Sequence, residues 1–276
     1  MAAVTIEKLG ATIGAEVTGV DRDRVLSDDA LPGQCLEALE ANGVLVFREL
    51  HLDDAAQVAF CRKLGPVETM PGRAGSEIFT VTLDPSKNRS ADYLRSTFVW
   101  HIDGATDDVP TKASVLTAHV LADSGGETEF ASTYAAYEDL SEEEKARFGP
   151  VRVVHTFEAA QRLTYPDPTP EVLASWRKRP AKEHPLVWSH RSGRRSLVLG
   201  ATASHVVGMP VEDGQALLAD LLARATVPGR VYRHEWSVGD MVIWDNRGVL
   251  HRACPYDPSS PREMHRTTLV GDEPIE

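Results

Sequence analysis

The sequence predicts an α+β fold with a mainly antiparallel β core and helices around it, in one domain spanning residues 1–276. Three observations lead there. Short β-rich runs bounded by Gly, Pro, Asp or Ser recur through the second half, where they outnumber helical windows. No internal repeat, low-complexity tract or long Gly/Ser linker divides the chain. Its 276 residues, 42% apolar and 25% charged, have the length and composition of a folded protein with a sizeable core.

In chain order, Leu31, Cys35, Leu36 and Leu39 recur at helical spacing, and Asn42-Gly43 offers a left-handed stop before the apolar run Val44-Leu45-Val46-Phe47. A helix followed by a buried strand is expected. Asp53 is placed to cap a second helix with Val58, Phe60, Cys61 and Leu64 on roughly one side, closed by Gly65-Pro66. Strands are expected over residues 78–81 and 114–120, then a helix over 141–148 that opens with a Ser141/Glu144 capping box. Strands at 186–188 and 196–199 flank a turn at 190–194. Leu217, Leu218, Leu221 and Leu222 mark a further helix, and strands at 231–236 and 241–244 follow.

Composition narrows the function. With 29 Lys and Arg against 41 Asp and Glu, the formal charge of −12 repels a polyanion, so nucleic acid is not an expected partner. A few arginines inside a cleft still suffice to hold a small anion, because an interior site responds to its local groups. Cys35, Cys61 and Cys254 are far apart and form no C-x-x-C pair, which argues against a disulfide framework or a thiolate zinc site. The N-terminus lacks the features of a secretory signal and no stretch has the length of a membrane span, so a cytoplasmic protein without a membrane partner is expected.

The G-x-G-x-x-G, P-loop, G-x-S-x-G and H-E-x-x-H signatures are all missing. What remains is Trp100-His101-Ile102-Asp103-Gly104, where an extended backbone would turn His101 and Asp103 to one face. A second imidazole, for which His251 is the candidate, completes the two-histidine, one-carboxylate face that holds Fe(II) and leaves positions open. Taken alone, an H-x-D pair is weak, since ten histidines generate such pairs by chance, and its plainer reading is a hydrogen-bonded surface histidine. The pair gains weight beside Trp244-Asp-Asn-Arg-Gly-Val-Leu-His251-Arg-Ala253 and Arg262-Glu-Met-His-Arg266.

Together with Gly10-Ala-Thr-Ile-Gly-Ala-Glu-Val-Thr-Gly-Val20, Gly43-Val-Leu-Val-Phe-Arg48, Gly125-Gly-Glu-Thr128 and Gly271-Asp272, these segments resemble the taurine dioxygenase/TfdA-like family of Fe(II)- and 2-oxoglutarate-dependent oxygenases. The resemblance runs through most of the chain. It implies a double-stranded β-helix, the jelly roll of the clavaminate synthase-like fold, with the metal at its mouth. It implies His101, Asp103 and His251 as ligands of Fe(II), and Thr128 and Arg262 as holders of 2-oxoglutarate, with Arg266 beside them. Arg262 and Arg266 stand eleven and fifteen residues beyond His251, as the family pattern requires. A guanidinium suits the distal carboxylate because its planar donors grip both oxygens. With O₂ as second co-substrate, the implied reaction hydroxylates a small, anionic organic molecule and forms succinate and CO₂. Because Asp103 is present rather than a small residue, no position is freed for a halide.

On the substrate side, the resemblance places Met70, Arg73 and Thr97 where the taurine enzyme has polar contacts, with Gly104, Phe157 and Arg266 around the same pocket. Taurine is therefore an unexpected substrate, and a bulkier, more apolar anion such as a larger sulfonate, sulfate ester or aryloxyalkanoate is expected. Arg73 offers a replacement anchor, though a plain exposed loop arginine is the blander reading. Trp100 and Trp244 read as packing groups and His265 as structural, while His119, His155 and His184 show no usable partner spacing. A homo-oligomer is left open. Two other readings are weighed: a non-oxidative, cupin-like metalloprotein or metal-dependent isomerase, which leaves Thr128 and Arg262 without a purpose, and a metal-free binding module.

Overall fold

The computed structural model describes residues 3–69 and 75–276. A hairpin of β1 (Thr5–Lys8) and β2 (Ala15–Thr18) leads through α1 (Arg22–Ser27) and α2 (Leu31–Asn42) to β3 (Val44–Phe47) and α3 (Asp54–Leu64). Next come β4 (Phe79–Val81), the short α4 (Ala91–Leu94), β5 (Ala113–Val120) and β6 (Thr128–Ser132). A middle section holds α5 (Thr133–Glu138), α6 (Glu142–Phe148), β7 (Arg152–His155), α7 (Phe157–Arg162), α8 (Pro170–Trp176), β8 (Lys182–Pro185), β9 (Val187–Ser189), β10 (Arg195–Leu197), β11 (Ala203–Val206) and α9 (Val211–Ala225). The chain closes with β12 (Val231–His234), β13 (Met241–Asp245), β14 (Val249–Ala253) and β15 (Glu263–Leu269).

The principal sheet runs β1-β2-β3-β13-β5-β15-β4, and a smaller one runs β12-β6-β14. Strand pairing is antiparallel except between β2 and β3. The pleat explains why the central strands read as continuous apolar runs. In β13, Met241 and Ile243 pack with Leu39 and Phe60 beneath α2 and α3. Val242 and Trp244 face the other way, onto Phe130 of β6 and Val249 of β14. A strand covered on both faces has no solvent side to alternate with. Helices on one face and a second sheet on the other make the expected double-stranded β-helix, a mainly β, jelly-roll core with surrounding helices. None of the described helices is long and apolar enough to cross a membrane.

The local signals of the sequence act where they were read. Gly43 ends α2 at φ +71°, Asp53 accepts from the Ala56 backbone N–H at 2.8 Å, and the Ser141/Glu144 capping box closes in both directions at 3.1 and 2.9 Å. Eight strands escaped the reading: β1, β2, β6, β7, β8, β11, β14 and β15. Three of these, β6, β14 and β15, carry the functional candidates Thr128, His251 and Arg266 among mixed polar residues, so their composition does not announce a strand.

Candidate active site

The site forms where the turn after β13 sends the chain back as β14. In this turn Asp245 accepts from the backbone N–H of Arg247 at 3.0 Å and from its Nε at 2.9 Å. Gly248 passes so close to buried Tyr134 that a Cβ there would lie 1.9 Å from a ring carbon. β14 then presents His251, which is paired through both backbone hydrogen bonds to His101, at 3.1 and 3.0 Å. The expectation that 101 and 103 share the face of a regular strand is corrected here. Only this single bridge at His101 is extended, and Asp103 already lies in a turn. The turn still brings the three side chains together, because Gly104 takes φ +78° and packs against Pro110-Thr111, where a side chain would meet backbone at 2.8 Å.

His101 Nε2 and His251 Nε2 each point at one oxygen of Asp103, at 3.8 and 3.7 Å. These separations exceed hydrogen-bond range and suit donor atoms that share one cation. His101 Nδ1–H donates to the Val99 carbonyl at 2.9 Å, which leaves the lone pair on Nε2. Asp103 Oδ2 receives the Ser114 hydroxyl at 3.0 Å and Arg266 Nη1 at 3.3 Å. Burial opposes its ionisation, but Arg266, His251 and His101 together hold the carboxyl well below the usual carboxylate range. Burial, then the neighbouring His101, pushes His251 down to about 3. A neutral imidazole and an ionised carboxylate are the forms that ligate a metal.

A cavity of about 60 Å³ adjoins this triad, walled by Val81, Leu94, Leu116 and Trp244 and lined with Thr97, Thr128, Arg262 and Arg266. Arg262 is only 3% exposed. Its Nη2 donates to the Gly126 carbonyl at 2.9 Å and its guanidinium lies 4.8 Å over the Tyr256 ring. Gly126 makes the room, since a Cβ there would stand 2.8 Å from Arg262 Nε. Burial pulls the Arg262 pKa down, and among the described residues no carboxylate forms an ion pair with it. A buried cation in that condition is a receptor for an anion. Thr128 accepts from Trp236 Nε1 at 3.0 Å, which leaves its hydroxyl hydrogen available to the cavity. Donor set and buried cation thus fit a metal ion together with a dicarboxylate such as 2-oxoglutarate.

Other expectations divide. Thr97 lines the cavity, but its hydroxyl is committed to the Leu94 carbonyl at 2.6 Å. Gly104 serves the turn and Phe157 stands outside the lining, its ring 5.9 Å from Tyr93 and 3.8 Å beneath the Arg179 guanidinium. Neither belongs to the cavity wall, because each is held by local packing elsewhere. Met70 and Arg73 lie outside the described residues. Trp244 does more than pack: it walls the cavity 4.8 Å from the His251 ring, whereas Trp100 sits under the Arg252 guanidinium at 4.6 Å. A larger cavity of about 690 Å³ behind Trp100 contains none of the expected site residues.

The sequence reading missed Ser114, Tyr256, Trp236 and Asn246. Asn246 Nδ2 donates to Ser114 Oγ at 3.1 Å, which orients the hydroxyl that holds Asp103. Asn246 belongs to the Trp244–Ala253 segment, so a signal was present; Ser114 is marked only by its register.

Residues 5–268 match the family described as taurine catabolism dioxygenase TauD, TfdA family. The chain is 39% identical over 251 residues to the alpha-ketoglutarate-dependent 2,4-dichlorophenoxyacetate dioxygenase of Burkholderia sp. (strain RASC), covering 84% of this chain and 83% of that protein. It is 34% identical over 284 residues to the alpha-ketoglutarate-dependent sulfate ester dioxygenase of Pseudomonas putida, covering 98% and 90% respectively. The crystal structure of AAD-2 in complex with Mn(II) and N-oxalylglycine superposes with a TM-score of 0.84 at 31% identity, over 99% of this chain and 100% of that one. With a match that spans the β core and everything that builds its mouth, the chain belongs to the TauD, TfdA family of dioxygenases.

Proposed function

We propose that His101, Asp103 and His251 hold one Fe(II), that Arg262 with Thr128 grips the distal carboxylate of 2-oxoglutarate, and that the substrate is an aryloxyalkanoate-like anion. The chain is an Fe(II)- and 2-oxoglutarate-dependent dioxygenase that acts on a small molecule, as its relatives are. These relatives support the oxidative reading and lend nothing to a cupin-like metalloprotein or isomerase. The observation that carries the assignment is the buried Arg262, which forms no ion pair with a carboxylate among the described residues and lines the same cavity as the triad. When bound, metal, 2-oxoglutarate and O₂ supply the oxidising power, one oxygen atom entering a substrate C–H bond and the other the succinate that forms with CO₂.

The chain's own groups position and insulate. His101 Nδ1–H on the Val99 carbonyl fixes the ring that offers Nε2. Ser114, itself held by Asn246, and Arg266 orient Asp103 from two sides. Val81, Leu94 and Leu116 give the cavity an apolar wall. Thr97, its hydroxyl spent on Leu94, leaves the substrate side without a free polar group at that position, which favours an apolar body over a small zwitterion. Arg266, beside Asp103, is then the cation for the substrate's anionic end.

The same reading carries one catalytic domain over residues 1–276, in a cytoplasmic protein without a membrane partner, and the net charge of −12 supports the further expectation that it takes no nucleic acid. Succinate release with Fe(II), O₂ and a panel of 2,4-dichlorophenoxyacetate, a medium-chain alkyl sulfate and taurine tests the substrate class. The aryloxyacetate is expected to exceed taurine in kcat/KM on the order of a hundredfold, the scale on which an apolar pocket rejects an added polar group. Equal specificity constants would overturn this choice of substrate.

A further inference from the structure

β15 has two faces, and the candidate active site uses only one. Met264 packs toward the smaller sheet and Arg266 reaches Asp103, so by the strand's alternation Glu263, His265 and Thr267 project from the opposite face. Neighbouring β5 repeats this. Leu116 and Ala118 face the smaller sheet, and Thr117 and His119 stand beside His265, in register Thr117 opposite His265. Onto this outer face α3 brings Asp54, in its first turn.

The three elements converge. His265 donates through Nδ1 to Asp54 Oδ1 at 2.5 Å and through Nε2 to Glu263 Oε1 at 3.1 Å, so a metal joining Asp54 and His265 takes the place of the proton between them; the His119 and His265 rings lie 3.9 Å apart at 30°. One donor atom each of Asp54, His119 and His265 lies within 4.8 Å of the other two, the same limit met by His101, Asp103 and His251. Both clusters also stack their two imidazoles closely, at 3.9 Å here and 4.1 Å in the candidate active site.

Hydrogen bonding behind the cluster sets the His119 tautomer. Gln57 Nε2 donates to the His265 carbonyl at 3.1 Å and to Thr267 Oγ1 at 3.1 Å, so Gln57 Oε1 is the amide's acceptor. The single hydrogen of Thr117 Oγ1 goes to that oxygen at 2.7 Å. His119 Nε2, 3.1 Å from Thr117 Oγ1, must therefore be the donor in their contact, which leaves Nδ1 with a lone pair. An imidazole whose second nitrogen is anchored by a protein hydrogen bond is the usual form of a metal ligand.

We propose that Asp54, His119 and His265 form a second metal site, on the face of the principal sheet opposite the triad, for a divalent transition metal such as Zn²⁺. Two imidazoles with one carboxylate suit Zn²⁺ and its neighbours over Mg²⁺ or Ca²⁺, which demand an all-oxygen shell. Glu263, 3.1 Å from His265 Nε2 and paired through its other oxygen with Lys87 at 2.6 Å, flanks the site as its next carboxylate. The site is independent of the function proposed above.

Zn²⁺ titration against a chromophoric chelator tests it without any activity readout. A His101→Ala/His251→Ala protein, which lacks the triad, should still bind one equivalent. Adding His119→Ala or Asp54→Asn should weaken that equivalent beyond the roughly 10–100-fold typical of losing an outer-shell partner. In the otherwise native chain the same substitutions should reduce two equivalents to one, so the outcome does not depend on the triad variant folding. Co²⁺ in place of Zn²⁺ should give a visible d–d spectrum that disappears with His119→Ala. A triad-free, folded protein that binds no Zn²⁺, or stoichiometry untouched by both His119→Ala and Asp54→Asn, would overturn the proposal.

Discussion

Asp103 is held by more than its place in a motif. Ser114 donates to Oδ2 at 3.0 Å, and Asn246 steers that hydroxyl. Ser114→Ala should therefore weaken divalent-metal binding by about 10–100-fold while leaving the three ligands in place; an unchanged metal affinity in a calorimetric titration would show Ser114 to be irrelevant. Arg262 makes a sharper case. Arg262→Ala should cost about 2–5 kcal/mol in 2-oxoglutarate binding, as for one member of a buried charged pair. Equilibrium binding measured with and without the substitution checks this, and an unaltered Kd removes Arg262 from the site. His101, Asp103, His251 and Arg262 became candidates in the sequence only when the weak H-x-D pair was joined to the family resemblance carried by the 244–253 and 262–266 segments. Ser114 was invisible because serine is unremarkable in a strand, and only its register under Asn246 and beside Asp103 gives it a task. Phe157 packs against Tyr93 and Arg179 and lies outside the lining of the small cavity, an arrangement no sequence spacing reveals.

Among the elements, two backbone passages decide the site, and both depend on glycine. The β13–β14 turn lets His251 return to His101 only because Gly248 slides past Tyr134. Gly248→Ala should overpack this region by at least about 1–3 kcal/mol, read as a lowered urea midpoint together with weaker metal binding. Stability equal to the parent protein would mean that the Tyr134 ring gives way freely. Gly126 precedes β6 with φ +80° and leaves space for the Arg262 side chain. Gly126→Ala should push that guanidinium aside, raising KM for 2-oxoglutarate several-fold more than it changes kcat; a proportional fall in kcat with KM constant would contradict it. The capping box of α6 and the stop at Gly43 were legible because caps are local, decided within four residues. β14 and β15 were not, since their polar residues face a cavity and a neighbouring helix rather than solvent.

Across the whole molecule, buried neutral histidines tie stability to pH. Burial, then His184, pushes His155 down to about 3, and burial, then Arg247, pushes His190 down to about 4. In the unfolded chain both take up a proton near pH ~6.5. Between these values the unfolded state holds more protons, so stability falls as pH drops from about 6.5 toward 4, by roughly 1.4 kcal/mol per pH unit for each histidine fully within the window. Urea midpoints at pH 7 and pH 5 should differ accordingly, and a flat profile would show that neither group stays neutral in the native state. The sequence by itself determined the β-rich class and the helix ends, because periodicity and caps are local properties of the chain, and its motif segments offered the candidate ligands through their likeness to the family. Only the tertiary structure decided that Arg262 is buried with no ion-paired carboxylate among the described residues, that Phe157 packs on Tyr93 and Arg179, and that Asp54, His119 and His265 meet. Those outcomes depend on strand register and on which helix covers which face of the sheet, and they join residues as much as 211 positions apart, where no local pattern reaches.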